Sequence, residues 1–303
     1  MNSRDSGRPR PHLRYVGIQP AIAIRYRTAL RHFFAFLDSH HIPAPRTLED
    51  LDDIGAEYIN ELYQDDRPLA WAGDFMCGIK RFYPRCRRAM GTTNLFYKNW
   101  AKSITRSRAL PLSGEIVMAI SSFALLENDV EFSAAALVSF VGLLRSGEIC
   151  GLTGKNVQFH GNFTLASISL PSSKGAARKG EPELVCIHDK VAIRLLAAAL
   201  RRKDPSAPLL PGGARRLNLT LKKYAKFLGI SEGKITAYGF RRGGASWHFT
   251  KYHSYDLTQE LGRWQDQRTA RIYIDGAVQD VVATNLSDVG RLRVKCGMTN
   301  LVR

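Results

Sequence analysis

The stretch EFSAAALVSFVGLLRSGEICGL, residues 131–152, constrains this chain more than any other. It reads as a helix whose apolar character runs round nearly every face, and such a helix belongs in the middle of a core. An arginine, Arg145, interrupts it at RSGE, so its guanidinium is expected to emerge at the edge of that core. No apolar run in the chain approaches the roughly 18 to 20 residues needed to span a bilayer, and the opening MNSRDSGRPRPHLR lacks the apolar segment of a signal peptide. The expectation is a soluble, intracellular protein.

At 303 residues the chain is long enough for two domains. Residues 1–15 are polar, basic and proline-containing, which predicts a disordered arm. From Pro20, apolar residues recur at three and four spacing (Ile22, Tyr26, Leu30, Phe33, Phe34, Leu37), an amphipathic helix that IPAPR breaks. LEDLDDIGAEYINELYQ and LAWAGDFMCGIKRFY continue the helical pattern, giving a helical domain over 16–107. RALPLS reads as a linker whose Ser113 caps the next helix, so a second domain occupies 108–303. There, NFTLASISL and ELVCIHD are strand candidates on either side of PSSKGAARKGEP, although Leu165 and Ile168 do not share a strand face. Helices return at KVAIRLLAAALRRK, LNLTLKKYAKFLGI, FRRGGASWHF, LTQELGRW and RTARIYI. The predicted class is mainly α with a small antiparallel β-sheet.

A formal net charge of +17 attracts polyanions, nucleic acid first among them. Cys77, Cys86, Cys150, Cys186 and Cys296 are scattered without CxxC pairs, and the histidines lack ligand spacing, so neither a disulfide framework nor a metal site is expected.

Several residues carry chemistry if they meet. Glu148 lies near enough to orient Arg145, although a helix-end salt bridge explains the pair equally. Lys174 sits between the two strand candidates, where a flexible ammonium reaches a ligand or is simply solvated; Arg178 and Lys179 are rivals for its place. Arg241 and Arg242 precede Gly243 and Gly244, which admit a phosphate or only a tight backbone crossing. One of the two adjacent arginines is expected to face away. Trp264 and Tyr273, nine positions apart, taken alone read as core.

The order Arg145, Lys174, Arg241, Trp264, Tyr273, in the contexts LLRSGE, SSK, YGFRRGGA and GRW, resembles the tyrosine recombinase or phage integrase family. The resemblance covers about Leu112 to Asp275 and, more loosely, the helical first third, which is similar to the family's core-binding domain. It implies that Arg145 and Arg241 clamp the scissile phosphate, that Lys174 protonates the leaving 5′ oxygen, that Glu148 supports the site and that Tyr273 is the nucleophile. Two positions depart from the family pattern. Trp264 stands where a histidine is usual, and its indole N–H can donate in the same way. Tyr238 stands where HxxR would place histidine, and a phenol is the poorer proton shuttle at neutral pH.

The implied reaction is site-specific cutting and rejoining of duplex DNA through a 3′-phosphotyrosyl bond, without metal, ATP or other cofactor. The implied partner is double-stranded DNA, gripped also by Lys80, Arg81, Arg85, Arg87, Arg88 and Arg242; no membrane and no small-molecule substrate is expected. In the family the segment after the tyrosine docks on a neighbouring subunit, so a homotetramer on two DNA sites is expected, folding back onto its own domain being the other reading. Three further readings stand: a recombinase-derived DNA-binding protein that no longer cuts, a type IB topoisomerase-like enzyme, and an RNA-binding or other basic protein whose motif agreement is accidental.

Overall fold

The computed structural model describes residues 15, 17–104, 109–171, 173, 175–176, 180–201, 203–230, 235–274 and 286–302. The basic arm up to residue 14, together with Lys174, Arg178 and Lys179, lies outside the described residues. The chain divides into two compact units, Met1–Arg106 and Ser107–Arg303. Among the described residues no helix is long and apolar enough to cross a membrane.

The first unit is helical: α1 (Pro20–Ser39), α2 (Leu48–Gln64), α3 (Leu69–Phe82), a 3-10 turn at Pro84–Arg88, and α4 (Gly91–Ser103). Pro20 opens α1 where its missing N–H is not needed. Thr47 and Asp50 cap α2 reciprocally. The core is aromatic, with Phe33, Tyr58 and Phe75 in mutual contact at ring-centre distances of 4.8 to 5.3 Å. α3 approaches α1 closely because Gly78 has no side chain to press on the Tyr26 backbone.

α4 has no capping side chain of its own. Asp52, buried on α2, substitutes for one: its carboxylate accepts from the backbone N–H groups of Thr92 and Thr93, both at 2.8 Å, and from the Thr93 hydroxyl at 2.7 Å. Burial opposes ionisation of Asp52, but these donors prevail and hold its pKa below the usual carboxylate value. A depressed carboxylate pKa stabilises the fold above the unfolded-state pKa and ceases to do so as pH falls through the folded-state value. Asp52→Ala is therefore expected to cost about 3 kcal/mol at pH 7, and the difference from wild type to shrink below about pH 4, as read from urea unfolding at the two pH values. An equal difference at both would show that the carboxylate charge contributes nothing.

The second unit is built round α6 (Val130–Val141), whose residues from Phe132 to Phe140 are all buried. α5 (Gly114–Leu126), capped by Ser113 at its Ile116 N–H, packs on it. After α6 come α7 (Ser146–Cys150), strands β1 (Val157–His160), β2 (Leu165–Leu170) and β3 (Glu183–Ile187), then α8 (Lys190–Leu200), α9 (Gly213–Phe227), α10 (Tyr238–Tyr252), α11 (Tyr255–Gly262), α12 (Gln267–Tyr273) and α13 (Asp288–Val302). The sheet is antiparallel in the order β1-β2-β3, with Val157 opposite Ile168 and Ala166 opposite Ile187. The protein is thus mainly α with a small antiparallel sheet.

Several local expectations change. The apolar helix does not run through to Arg145: it ends at Val141, Leu143 takes a left-handed conformation at φ 46°, and Arg145 begins the separate short helix α7. β1 is a strand with no strong sequence signal, its alternation being only half-buried. In β2 the inward residues are Ala166, Ile168 and Leu170, which explains why Leu165 and Ile168 fall out of phase. RALPLS, where described, is no free linker, since Leu112 is fully buried and its N–H donates to Gly239 O. The last helix, α13, packs on α5 of its own unit, Gly297 lying against the Ala119 backbone.

Candidate active site

Arg145, Glu148, Tyr238, Arg241, Trp264 and Tyr273 come from four separated segments. The turn at Gly142–Leu144 brings Arg145 out at the head of α7. Glu148, one turn on, accepts the Arg145 backbone N–H at 2.8 Å and also pairs with its guanidinium. The pair is therefore an orienting contact, with the Glu148 side chain only 7 % exposed, and not a solvated surface bridge.

α10 carries Tyr238 and Arg241 three residues apart, on one side of the helix. Arg241 is almost wholly buried. Its two terminal nitrogens donate to Leu143 O and Gly262 O, and its Nε has no hydrogen-bond partner among the described residues. No carboxylate there pairs with it. Burial, then the charges of Arg145 and Arg263, push its pKa down to about 10, against the pull of Glu148. It stays protonated at neutral pH. A buried guanidinium without a carboxylate is costly unless an anion arrives.

Trp264 lies under Tyr273 with ring centres 4.6 Å apart, and the Arg241 guanidinium sits 4.8 Å from the Trp264 ring and 5.6 Å from that of Tyr273. Gly262 makes room, because any side chain there would collide with the indole. The indole Nε1 is buried and has no hydrogen-bond partner among the described residues. Tyr273 ends α12, which Asp266 caps through the Thr269 N–H at 2.8 Å. The Tyr238 hydroxyl donates to the Tyr273 hydroxyl. Burial first, then that hydrogen bond and the proximity of Tyr273, raise the Tyr238 pKa well above a normal phenol, with Arg241 and Arg242 opposing. Tyr238 is consequently a neutral donor at physiological pH and not a proton acceptor.

Arg242, expected among the DNA contacts, is buried in the structure. Both adjacent arginines are buried, and Arg242 donates to Ala109 O. The sharp packing of α10 leaves neither an exposed face. In the first unit Arg85, Arg87 and Arg88 are exposed on the turn after α3, whereas Lys80 and Arg81 are half-buried at its end.

Two members of the cluster had escaped the sequence reading. Arg263, between Gly262 and Trp264, is buried with 7 % side-chain exposure; it donates to Glu148 Oε2 at 2.7 Å and lies 3.5 Å from Glu183 Oε2. Glu183, at the start of β3, also accepts from the Ser173 hydroxyl at 2.6 Å and packs against Gly175. A single arginine in a helix-end segment reads as solvated, and nothing near Glu183 marks it. The only local hint was that Arg263 stands between a glycine and a tryptophan.

No protein-family model and no curated protein sequence matches the chain. Solved structures do. The Tn1549 transposon integrase, in complex with circular intermediate DNA, superimposes with a TM-score of 0.57 at 12% identity over 84% of this chain and 94% of that one. XerH site-specific recombinase, bound to palindromic difH substrate in a post-cleavage complex, gives 0.53 at 16% over 88% and 79%. A lambda integrase dimer bound to a COC′ core site gives 0.51 at 16% over 86% and 73%. The chain has the tyrosine recombinase and integrase fold.

Proposed function

We propose that this protein is a site-specific DNA recombinase that cuts and rejoins duplex DNA through a 3′-phosphotyrosyl intermediate. The observation that carries the reading is the convergence of Arg241 and Trp264 beneath Tyr273, with Arg241 Nε and Trp264 Nε1 buried and without a hydrogen-bond partner among the described residues. Unsatisfied buried donors around a phenol suit an arriving phosphate, whose oxygens would take up those N–H groups.

In the proposed step the Tyr273 oxygen bonds to phosphorus as the bond from phosphorus to the 5′ oxygen breaks. The phenol gives up its proton to solvent water, and the 5′ oxygen gains one from the residue assigned below as proton donor. Arg145 and Arg241 neutralise the nonbridging oxygens, Trp264 adds a neutral donor, Tyr238 donates to the attacking oxygen, and Lys174 is assigned as proton donor to the leaving oxygen. One phosphate ester replaces another, so rejoining draws on no ATP. Arg85, Arg87 and Arg88, with Lys80 and Arg81 behind them, are assigned as phosphate contacts that position the duplex. Pairing of two such duplexes in a homotetramer belongs to the same reading.

The test is a pool of nicked suicide duplexes. A denaturation-resistant DNA adduct whose cross-linked peptide contains Tyr273 is the expected outcome. Salt-sensitive duplex binding without any adduct would replace this reading by that of a DNA-binding protein that no longer cuts. Affinity itself is expected to fall with log salt at a slope of about −0.9 per neutralised phosphate, measured by titration at several ionic strengths, and a flat response would rule out the duplex as ligand.

A further inference from the structure

We infer that Arg263 is a positioning residue that locks the phosphate clamp to the nucleophile segment. The inference rests on the recombinase reading above and deepens it. Arg263 terminates α11 in a left-handed conformation, φ 55°, which is unfavourable for an arginine and persists only where surroundings hold it. The helix end closes through its backbone, Arg263 N–H donating to Glu260 O at 2.9 Å and Trp264 N–H to Gln259 O at 3.1 Å, and the side chain anchors that turn to the rest of the site. The guanidinium reaches Glu148 Oε2 at 2.7 Å, Leu143 O at 3.4 Å and Gly142 O at 3.5 Å, and its Nε lies 3.5 Å from Glu183 Oε2. Glu148 is thus shared: one oxygen pairs with Arg145, the other takes the Arg145 backbone N–H and Arg263.

The consequence is geometric. The backbone of Arg263 leads directly into Trp264, whose ring lies 4.6 Å from that of Tyr273, while its side chain fixes the carboxylate that orients Arg145. Gly262, the residue before it, supplies the carbonyl that receives Arg241 Nη2 at 2.6 Å. Gly262 and Arg263 together therefore tie both proposed clamp arginines to the segment bearing the nucleophile, Arg241 through the Gly262 carbonyl and Arg145 through Glu148. With Glu148 and Glu183 beside it, the charge of Arg263 is balanced internally, which that of Arg241 is not, although Arg263 Nε makes no hydrogen bond among the described residues.

The experiment uses the full chain and two suicide duplexes. One carries the ordinary scissile phosphodiester, the other a methylphosphonate, which lacks one anionic oxygen and so depends less on guanidinium neutralisation. Arg263→Gly is the informative variant, because glycine accepts the left-handed backbone without cost and only the side chain is lost. Wild type is measured first, since absence of an adduct there overturns the recombinase reading and this inference with it. Given an adduct, Arg263→Gly is expected to keep duplex affinity within about twofold and to slow adduct formation on the phosphodiester about 100-fold, the scale of a misplaced reacting group. On the methylphosphonate the defect should narrow about tenfold, in parallel with that of Arg145→Ala, because lost charge neutralisation matters less there. Arg263→Lys, which keeps the charge without the fork, should show the same narrowing at smaller amplitude if the glycine variant does not fold. An equal defect on both substrates, no defect on either, or no narrowing for Arg145→Ala would each overturn the inference while leaving the recombinase reading in place.

Discussion

Tyr273→Phe is expected to abolish the DNA adduct, with a loss of at least ~10⁴-fold in adduct formation, while duplex affinity stays within about twofold of wild type. The substitution removes one oxygen from a ring that is otherwise held by Trp264, 4.6 Å away, and by the Arg241 guanidinium. Both contacts survive in phenylalanine. The hydrogen bond from Tyr238 is lost, a stability change of about 1 kcal/mol that a thermal melt resolves from loss of chemistry. Tyr238 sharpens the result. Because its pKa is raised by burial and by Tyr273, it stays protonated and donates to the nucleophile's oxygen. Tyr238→Phe should slow adduct formation by about 10- to 100-fold without abolishing it, and Tyr238→His should introduce a rate dependence on pH near the ordinary histidine pKa of about 6.5. An adduct that survives in Tyr273→Phe would remove Tyr273 from the nucleophile's role. Measurement is by gel resolution of the covalent complex, with affinity followed separately by anisotropy.

How much of this was legible in the sequence differs from residue to residue. The buried helix at 130–141, the helical first unit and the pairing of Arg145 with Glu148 follow from hydrophobic periodicity and local spacing, which act over one or two turns. The convergence of Tyr238, Arg241, Trp264 and Tyr273 does not: Arg241 and Trp264 stand 23 positions apart, and only the order and contexts of the motif suggested that they meet. Arg263 and Glu183 were invisible for the same reason, since a contact between residues 80 apart leaves no local period. The burial of Arg242 was not legible because an arginine beside another in a basic chain reads as solvated, whereas close packing of α10 buries both. The break at Gly142–Leu144 was hidden because its residues are apolar, and positive φ at a leucine has no compositional signal.

That close packing carries a second large expected effect, one that reaches both stability and chemistry. A Cβ at Gly243 would run into the Leu112 carbonyl oxygen, and one at Gly244 into the Phe140 carbonyl oxygen and the Leu143 side chain. The obstacles are mainly backbone, which cannot swing aside as a side-chain tip would. Gly244→Ala gains about 1 kcal/mol of intrinsic helix propensity. Against that, α10 must part from the end of α6, an overpacking cost of about 3 kcal/mol or more. Net destabilisation of the second unit by more than about 2 kcal/mol is therefore expected, and Gly243→Ala should match it. Gly147→Ala is the control, for nothing lies within 4 Å of a Cβ placed there. It should leave stability unchanged or slightly improved. Urea unfolding of the three variants decides the matter: a Gly244→Ala protein as stable as Gly147→Ala would mean that α10 does not approach α6 so closely. The same displacement reaches the chemistry, because Leu143 O receives Arg241 and Gly262 O its other arm. Whatever fraction of Gly244→Ala remains folded should therefore form adduct more slowly per molecule, since moving α10 by even half an ångström shifts the guanidinium relative to Tyr273.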